Sequence, residues 1–176
     1  MMYAILDIET TGGKYNNIGI TEIAIYRFNG YKILDEFHSL VNPDRPIQPF
    51  VIKLTGINNK MLNKAPKFHN IAKRIIDITS ECILIAHNSE FDYGILKTEF
   101  KRLGYIFKRK SICTVQLSKK LLPNQESYKL GRLSKALNIN LINRHRAKGD
   151  ALATLKLFKL LIQKDPNKII INTIVK

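Results

Sequence analysis

The chain has 176 residues, of which 45% are apolar, and a formal net charge of +15 from 29 Lys and Arg against 14 Asp and Glu. This is enough chain for one domain with a real core, read as residues 1–176 with a short tail over 164–176. No apolar run reaches the ~18 residues of a membrane-spanning helix, and the N-terminus lacks the basic-then-apolar layout of a signal peptide, so a membrane protein is not expected. The two cysteines, Cys82 and Cys113, read as small buried residues rather than a disulfide or metal pair, which fits a reducing cytoplasm. The basic balance favours a polyanion such as nucleic acid, although a chain rich in Lys, Ile and Asn also follows from an AT-rich genome.

Residues 3–9, 21–28 and 31–41 read as three strands. Asn29-Gly30 between the last two is a two-residue hairpin signal, so the chain opens as a β-meander. Pro43, Pro46 and Pro49 mark a loop over 42–50, and Phe50 to Leu54 a short helical turn before Thr55-Gly56-Ile57. Residues 67–79 carry a helical apolar period starting at Pro66. The run 82–86 is apolar throughout, as in a strand buried on both faces. Helices follow at 92–103, 113–122, 129–137 and 149–163, with a loop at 138–148 and Pro166 as the stop. The Ile-rich end, Lys168 to Lys176, reads as a short strand or an unpaired end. The order predicts an α/β domain with a mixed sheet and helices packed on it.

Three segments carry acids in chemically suggestive places. Asp7 and Glu9 lie two apart in the first strand and so project from one face. Carboxylates that close repel, and a divalent cation is the usual compensation, with a solvated strand end as the ordinary alternative. His87 to Asp92 follows the buried strand 82–86, at the carboxyl end where α/β sheets favour active sites. Asp92 there also reads as a capping or first-turn acid, and Glu90 as a solvent-facing turn residue. His145 and Asp150 flank the start of the last long helix, with Gly149 permitting a tight turn, so both can reach one pocket. Each alone reads as a capping or dipole-complementing residue.

Taken together, Asp7, Glu9, Asp92 and Asp150 supply four carboxylates, and His145 a titratable base with an ordinary pKa of about 6.5. Oxygen donors suit Mg²⁺ or Mn²⁺ rather than a thiolate zinc site. Two such ions about 3.5–4 Å apart are a standard device for cleaving phosphodiesters. His38, His69 and His87 read as ordinary, with His87 packing behind the site. Lys97, Lys101, Arg102, Lys108, Arg109 and Lys110 are candidates for a nucleic-acid path, or a solvated lysine-rich face.

Three ordered motifs resemble the DEDDh subgroup of 3′→5′ exonucleases, the superfamily that includes the proofreading epsilon subunit of bacterial DNA polymerase III. They are Leu6-Asp7-Ile8-Glu9-Thr10-Thr11-Gly12, Ala86-His87-Asn88-Ser89-Glu90-Phe91-Asp92 running on to Gly104, and His145 to Asp150 followed by Ala151 and Ala153-Thr154. Lys53-Leu54-Thr55-Gly56-Ile57 is similar to the family's loop near the substrate end. The resemblance covers about residues 3–163. It implies a ribonuclease H-like fold, an opening antiparallel three-strand meander plus parallel strands flanked by helices.

The resemblance further implies two divalent cations, Mg²⁺ or Mn²⁺, on Asp7, Glu9, Asp92 and Asp150, with His145 as general base. Thr10, Thr11, Ile57, Asn88 and Phe91 are implied to shape the pocket for a terminal nucleotide. The partner is nucleic acid with a free 3′ end, with DNA the first expectation and replication or repair the setting. An RNA-directed trimming or oligoribonuclease-like enzyme is the alternative, and a catalytically idle binding module a remote third. Departures are small: Asn16 to Ile20 fills a loop where relatives often carry an arginine, and Cys113-Thr114 stands where many carry Asp-Thr. The tail shows no glutamine-led clamp-binding peptide and no long polymerase-binding extension, so a polymerase or repair partner is unsupported by it.

Overall fold

The structure, a computed structural model, describes residues 1–13, 17–167 and 169–173, without the side chains of Ile171 and Asn172. Its strands are β1 (Tyr3–Thr10), β2 (Ile20–Phe28), β3 (Ile33–Leu40), β4 (Ile83–Ala86) and β5 (Ser111–Cys113). Its helices are α1 (Pro49–Thr55), α2 (Asn59–Leu62), α3 (Phe68–Ile78), α4 (Ser89–Arg102), α5 (Thr114–Leu121), α6 (Leu130–Ala136), α7 (Ala147–Gln163) and α8 (Ile169–Asn172). The strands form one sheet in the order β3-β2-β1-β4-β5. β1, β2 and β3 pair antiparallel, and β4 and β5 add to β1 in parallel. Among the described residues no helix is long and apolar enough to cross a membrane.

Alternation along β1 sends its residues into two cores. Ala4, Leu6 and Ile8 join Ile23, Ile25 and Leu84 beneath α3 and α4, where Phe68, Phe100 and Phe107 fill the layer. Tyr3 and Ile5 join Ala24, Tyr26, Phe28 and Ile85 beneath α5, α6 and α7, where Phe158 packs edge-on to Tyr3. Each fully buried large side chain of these layers contributes about 1.5–3 kcal/mol. By the same alternation Asp7 and Glu9 emerge on the face that α7 covers.

The loop 42–67 builds a third, small core of Ile47, Val51, Ile57 and Leu62. Pro49 opens α1 at a position that needs no amide, and Gly56 closes it in the left-handed region, donating its N–H to the Ile52 carbonyl. Gly12 (φ 71°) lets α1 dock on the end of β1: a Cβ there would stand 2.8 Å from Val51 Cγ2.

Several expectations are corrected. The β2–β3 turn spans residues 29–32, because Phe28 pairs with Ile33 and the Asn29 side chain accepts the amides of Tyr31 and Lys32 at 3.0 and 2.9 Å. β5 is an additional strand, α2 an additional helix, and α4 starts three residues before Asp92. The described part of the Ile-rich end is the helix α8, whose first amides are capped by Asp165; Lys168 and residues 174–176 of that expectation lie outside the described residues. Cys82 is buried as expected, whereas Cys113 is only half-buried.

Gly149 has no room for a side chain. A Cβ there would overlap the Ile142 carbonyl oxygen and stand 2.6 Å from that of Asn143. Gly149→Ala is expected to lower stability by about 1–3 kcal/mol, as overpacking does. A thermal melt reads this as a fall of several degrees, and an unchanged Tm would show that the 142–143 backbone yields freely.

Candidate active site

Asp7, Glu9 and Asp150 converge: one carboxylate oxygen from each lies within 4.8 Å of the other two. β1 presents the first pair on its α7 face, and α7 brings Asp150 onto it from its first turn. A register shift follows at once, Glu9 facing Glu22 but Thr10 facing Ile20. Such bulges re-aim a strand beside a site.

Asp92 arrives from the other side. It sits in the first turn of α4, and its Oδ1 accepts the Ile8 amide at 3.0 Å. The parallel pairing of β1 with β4 makes this possible, because both strands end at the same edge of the sheet. Asp92 stands outside the three-acid cluster yet faces Asp7 closely enough to raise its pKa.

His145 lies in the left-handed region (φ 62°), just before α7. Its amide donates to Asp150 Oδ2 at 3.1 Å, and its half-buried ring makes no hydrogen bond among the described residues. The other Asp150 oxygen, Oδ1, is buried and has no hydrogen-bond partner among the described residues. A buried charged oxygen without a partner is costly, and a cation is the natural remedy.

Electrostatics point the same way. Burial first, then the charges of Asp92, Asp150, Glu9 and Glu22, push the Asp7 carboxyl well above its ordinary value. Burial, Asp150 and Glu22 push Glu9 up to about 7 against the pull of Arg146. Burial lifts Asp92 to about 8 despite the Ile8 amide, and lifts Asp150 as well. All four shifts disfavour ionising these groups together, and oxygen-seeking divalent ions would offset that cost.

The expected pocket residues separate. Thr10 ends β1 half-buried, and Asn88 is exposed in the left-handed region (φ 78°) before α4. Phe91 is half-buried against the α3–α4 core. Thr11 is enclosed and committed to the loop: its amide donates to Gly19 O at 2.9 Å, and its hydroxyl accepts the Gly19 amide. Ile57 is a correction. It is 0% exposed within the small core, so its side chain anchors the loop and offers no surface to a nucleotide. The exposed apolar groups of that segment are Phe50 and Leu54.

Of the two readings of the basic run, the solvated face fits the structure: Lys97, Lys101, Arg102, Lys108 and Lys110 are exposed. Residues 103–110 lead into the amino end of β5, the sheet edge opposite Ala86, and Lys101 and Arg102 sit at the far end of α4 from Asp92. Arg109 caps α3, donating to Thr79 O at 3.0 Å, and Lys97 lies over the Tyr93 ring. His87 bridges Thr114 Oγ1 (3.0 Å) and Tyr128 O (2.8 Å), so it ties the end of β4 to the segments that follow β5. Of the departing loop, Asn16 lies outside the described residues. Glu22 escaped the sequence reading, although an acid inside the apolar run Ile20–Phe28 was a signal of it.

An exonuclease family model, RNase_T, matches residues 4–158. The 3′-5′ exonuclease DinG of Staphylococcus aureus (strain USA300) is 37% identical over 163 residues, 92% of this chain. The chain spans 18% of that relative's length. Among solved structures, Exonuclease X in complex with 5′ overhanging duplex DNA superposes with a TM-score of 0.75 at 28% identity, over 92% of this chain and 91% of that one. The nuclease domain of 3′hExo, a DEDDh family member bound to rAMP, shares the fold (TM-score 0.79, 21% identity, 92% of each chain). On the family match over most of its length, the chain belongs to the RNase_T exonuclease family, and it shares the fold of these nucleases.

Proposed function

We propose that this chain hydrolyses DNA from its 3′ end and releases nucleoside 5′-monophosphates, using two divalent cations, Mg²⁺ or Mn²⁺, held by Asp7, Glu9, Asp92 and Asp150. The observation that carries the reading is the three-carboxylate cluster, whose Asp150 has a buried Oδ1 without a hydrogen-bond partner among the described residues. DNA is preferred because Exonuclease X, above a quarter identical, is described with DNA.

The bound ions would supply Lewis acidity and charge neutralisation for phosphodiester cleavage. The chain supplies the rest. His145 takes a proton at a ring nitrogen from the attacking water, whose oxygen joins the phosphorus as the bond to the 3′ oxygen breaks. Asp150 orients that base through its hydrogen bond to the His145 amide. Thr10, Asn88 and Phe91, at the ends of β1 and β4, line the approach of the terminal nucleotide.

With a 5′-labelled single strand and Mg²⁺ or Mn²⁺, products shortened one nucleotide at a time from the 3′ end are expected, with mononucleotides released and chelator abolishing both. Matched DNA and RNA strands assign the substrate, and faster RNA cleavage would overturn the DNA preference. Activity that survives chelation would remove the metals from the mechanism. His145→Ala should slow turnover by about 10²–10⁴-fold, and a near-normal rate would exclude His145 as the base.

The raised carboxyls also set a pH dependence for the metal-free protein. Folded pKa values above the unfolded ones give stability that is full below about pH 4 and is lost as pH rises through about 7 for Glu9 and about 8 for Asp92. Glu22 and Asp35 are shifted the other way, so their contribution changes only in more acidic solution. In chelator, Tm should therefore fall from about pH 5 to pH 8, and added Mg²⁺ or Mn²⁺ should raise Tm more at pH 8 than at pH 5. A metal effect equal at both pH values would contradict the assignment.

A further inference from the structure

Glu22 lies in β2 directly across from Glu9, so its side chain shares the face that α7 covers. It is completely enclosed and saturated with donors. Oε2 accepts Arg146 Nε at 3.0 Å and the Ala147 amide at 2.8 Å. Oε1 accepts Arg146 Nη2 at 2.7 Å, with His38 Nε2 2.8 Å away. Arg146 occupies the capping position of α7 and its side chain gives no cap, so a carboxylate from the sheet does that work.

The two residues gripped by Glu22 are those that immediately follow His145. His145 itself is held in a left-handed conformation that a non-glycine residue adopts only when its surroundings impose it. Asp150 fixes the amide side of this corner and Glu22 the carbonyl side. A buried ion pair needed only for stability is commonly matched by apolar residues of similar volume. This one also anchors the backbone of the proposed base and keeps the Arg146 guanidinium turned toward Glu22, with Glu9 close by.

We infer that Glu22 is a positioning residue for His145: through Arg146 and the Ala147 amide it locks the corner that aims the imidazole at the carboxylate cluster. This rests on the reading of His145 as the base. Glu22→Gln keeps the volume but removes the charge and sets an amide donor against other donors. In that variant kcat should fall by about 10–10²-fold with KM near its original value, as misplacement of a catalytic group does. Hydrogen exchange at the amides of residues 145–150 should quicken. In a His145→Ala background the same substitution should cost less than about twofold, because both changes act on one group.

A normal kcat, a loss carried by KM, or an undiminished loss in the His145→Ala background overturns the inference while leaving the base assignment standing. A fast His145→Ala enzyme overturns the base assignment and this inference with it. Should Glu22→Gln fail to fold, Arg146→Lys keeps a positive partner for Glu22 but lacks the two-pronged fork, and the same cycle with His145→Ala then decides.

Discussion

Everything in this molecule answers to one constraint: acids from three distant segments must be held together against their mutual repulsion. Burial makes that repulsion worse, as the raised carboxyls of Asp7, Glu9, Asp92 and Asp150 record. No flexible loop could keep such groups within reach of one another. β1 can, because it is paired on both edges and covered on both faces. β4 runs parallel to it and delivers Asp92 to the same end, while α7 lies across the opposite face and delivers Asp150.

Much of this was legible in the residues. Period-two spacing placed Asp7 and Glu9 on one face, and the apolar run before His87 marked the strand that carries Asp92 to the site. β5 was hidden because it is only Ser111–Cys113, too short for an alternating pattern and preceded by Lys108, Arg109 and Lys110. The β2–β3 turn exceeded its Asn-Gly signal because the Asn29 side chain replaces a backbone turn and stretches the loop. The Ile-rich end became α8 because Asp165 caps it, a contact across a proline that periodicity does not anticipate.

Side-chain roles were less legible than side-chain positions. Ile57 stood beside a motif and was placed in the pocket, yet tertiary packing turned it inward. The cations around Lys108 were a cluster in sequence, but the parallel β4–β5 crossover sends that stretch to the opposite sheet edge. Glu22 carried the converse lesson. It lies in a largely apolar strand and its Arg146 and Ala147 partners are more than a hundred residues away, so only the fold reveals that it grips them.

The small core beneath α1 stands apart from the two large ones. Ile47, Val51, Ile57 and Leu62 pack mainly on one another, and Val51 lies close against the bare backbone of Gly12, just past the end of β1. That segment holds none of the four acids and presents Phe50 and Leu54 outward. The carboxylate cluster and this outward-facing segment are thereby held by separate packing units of one chain.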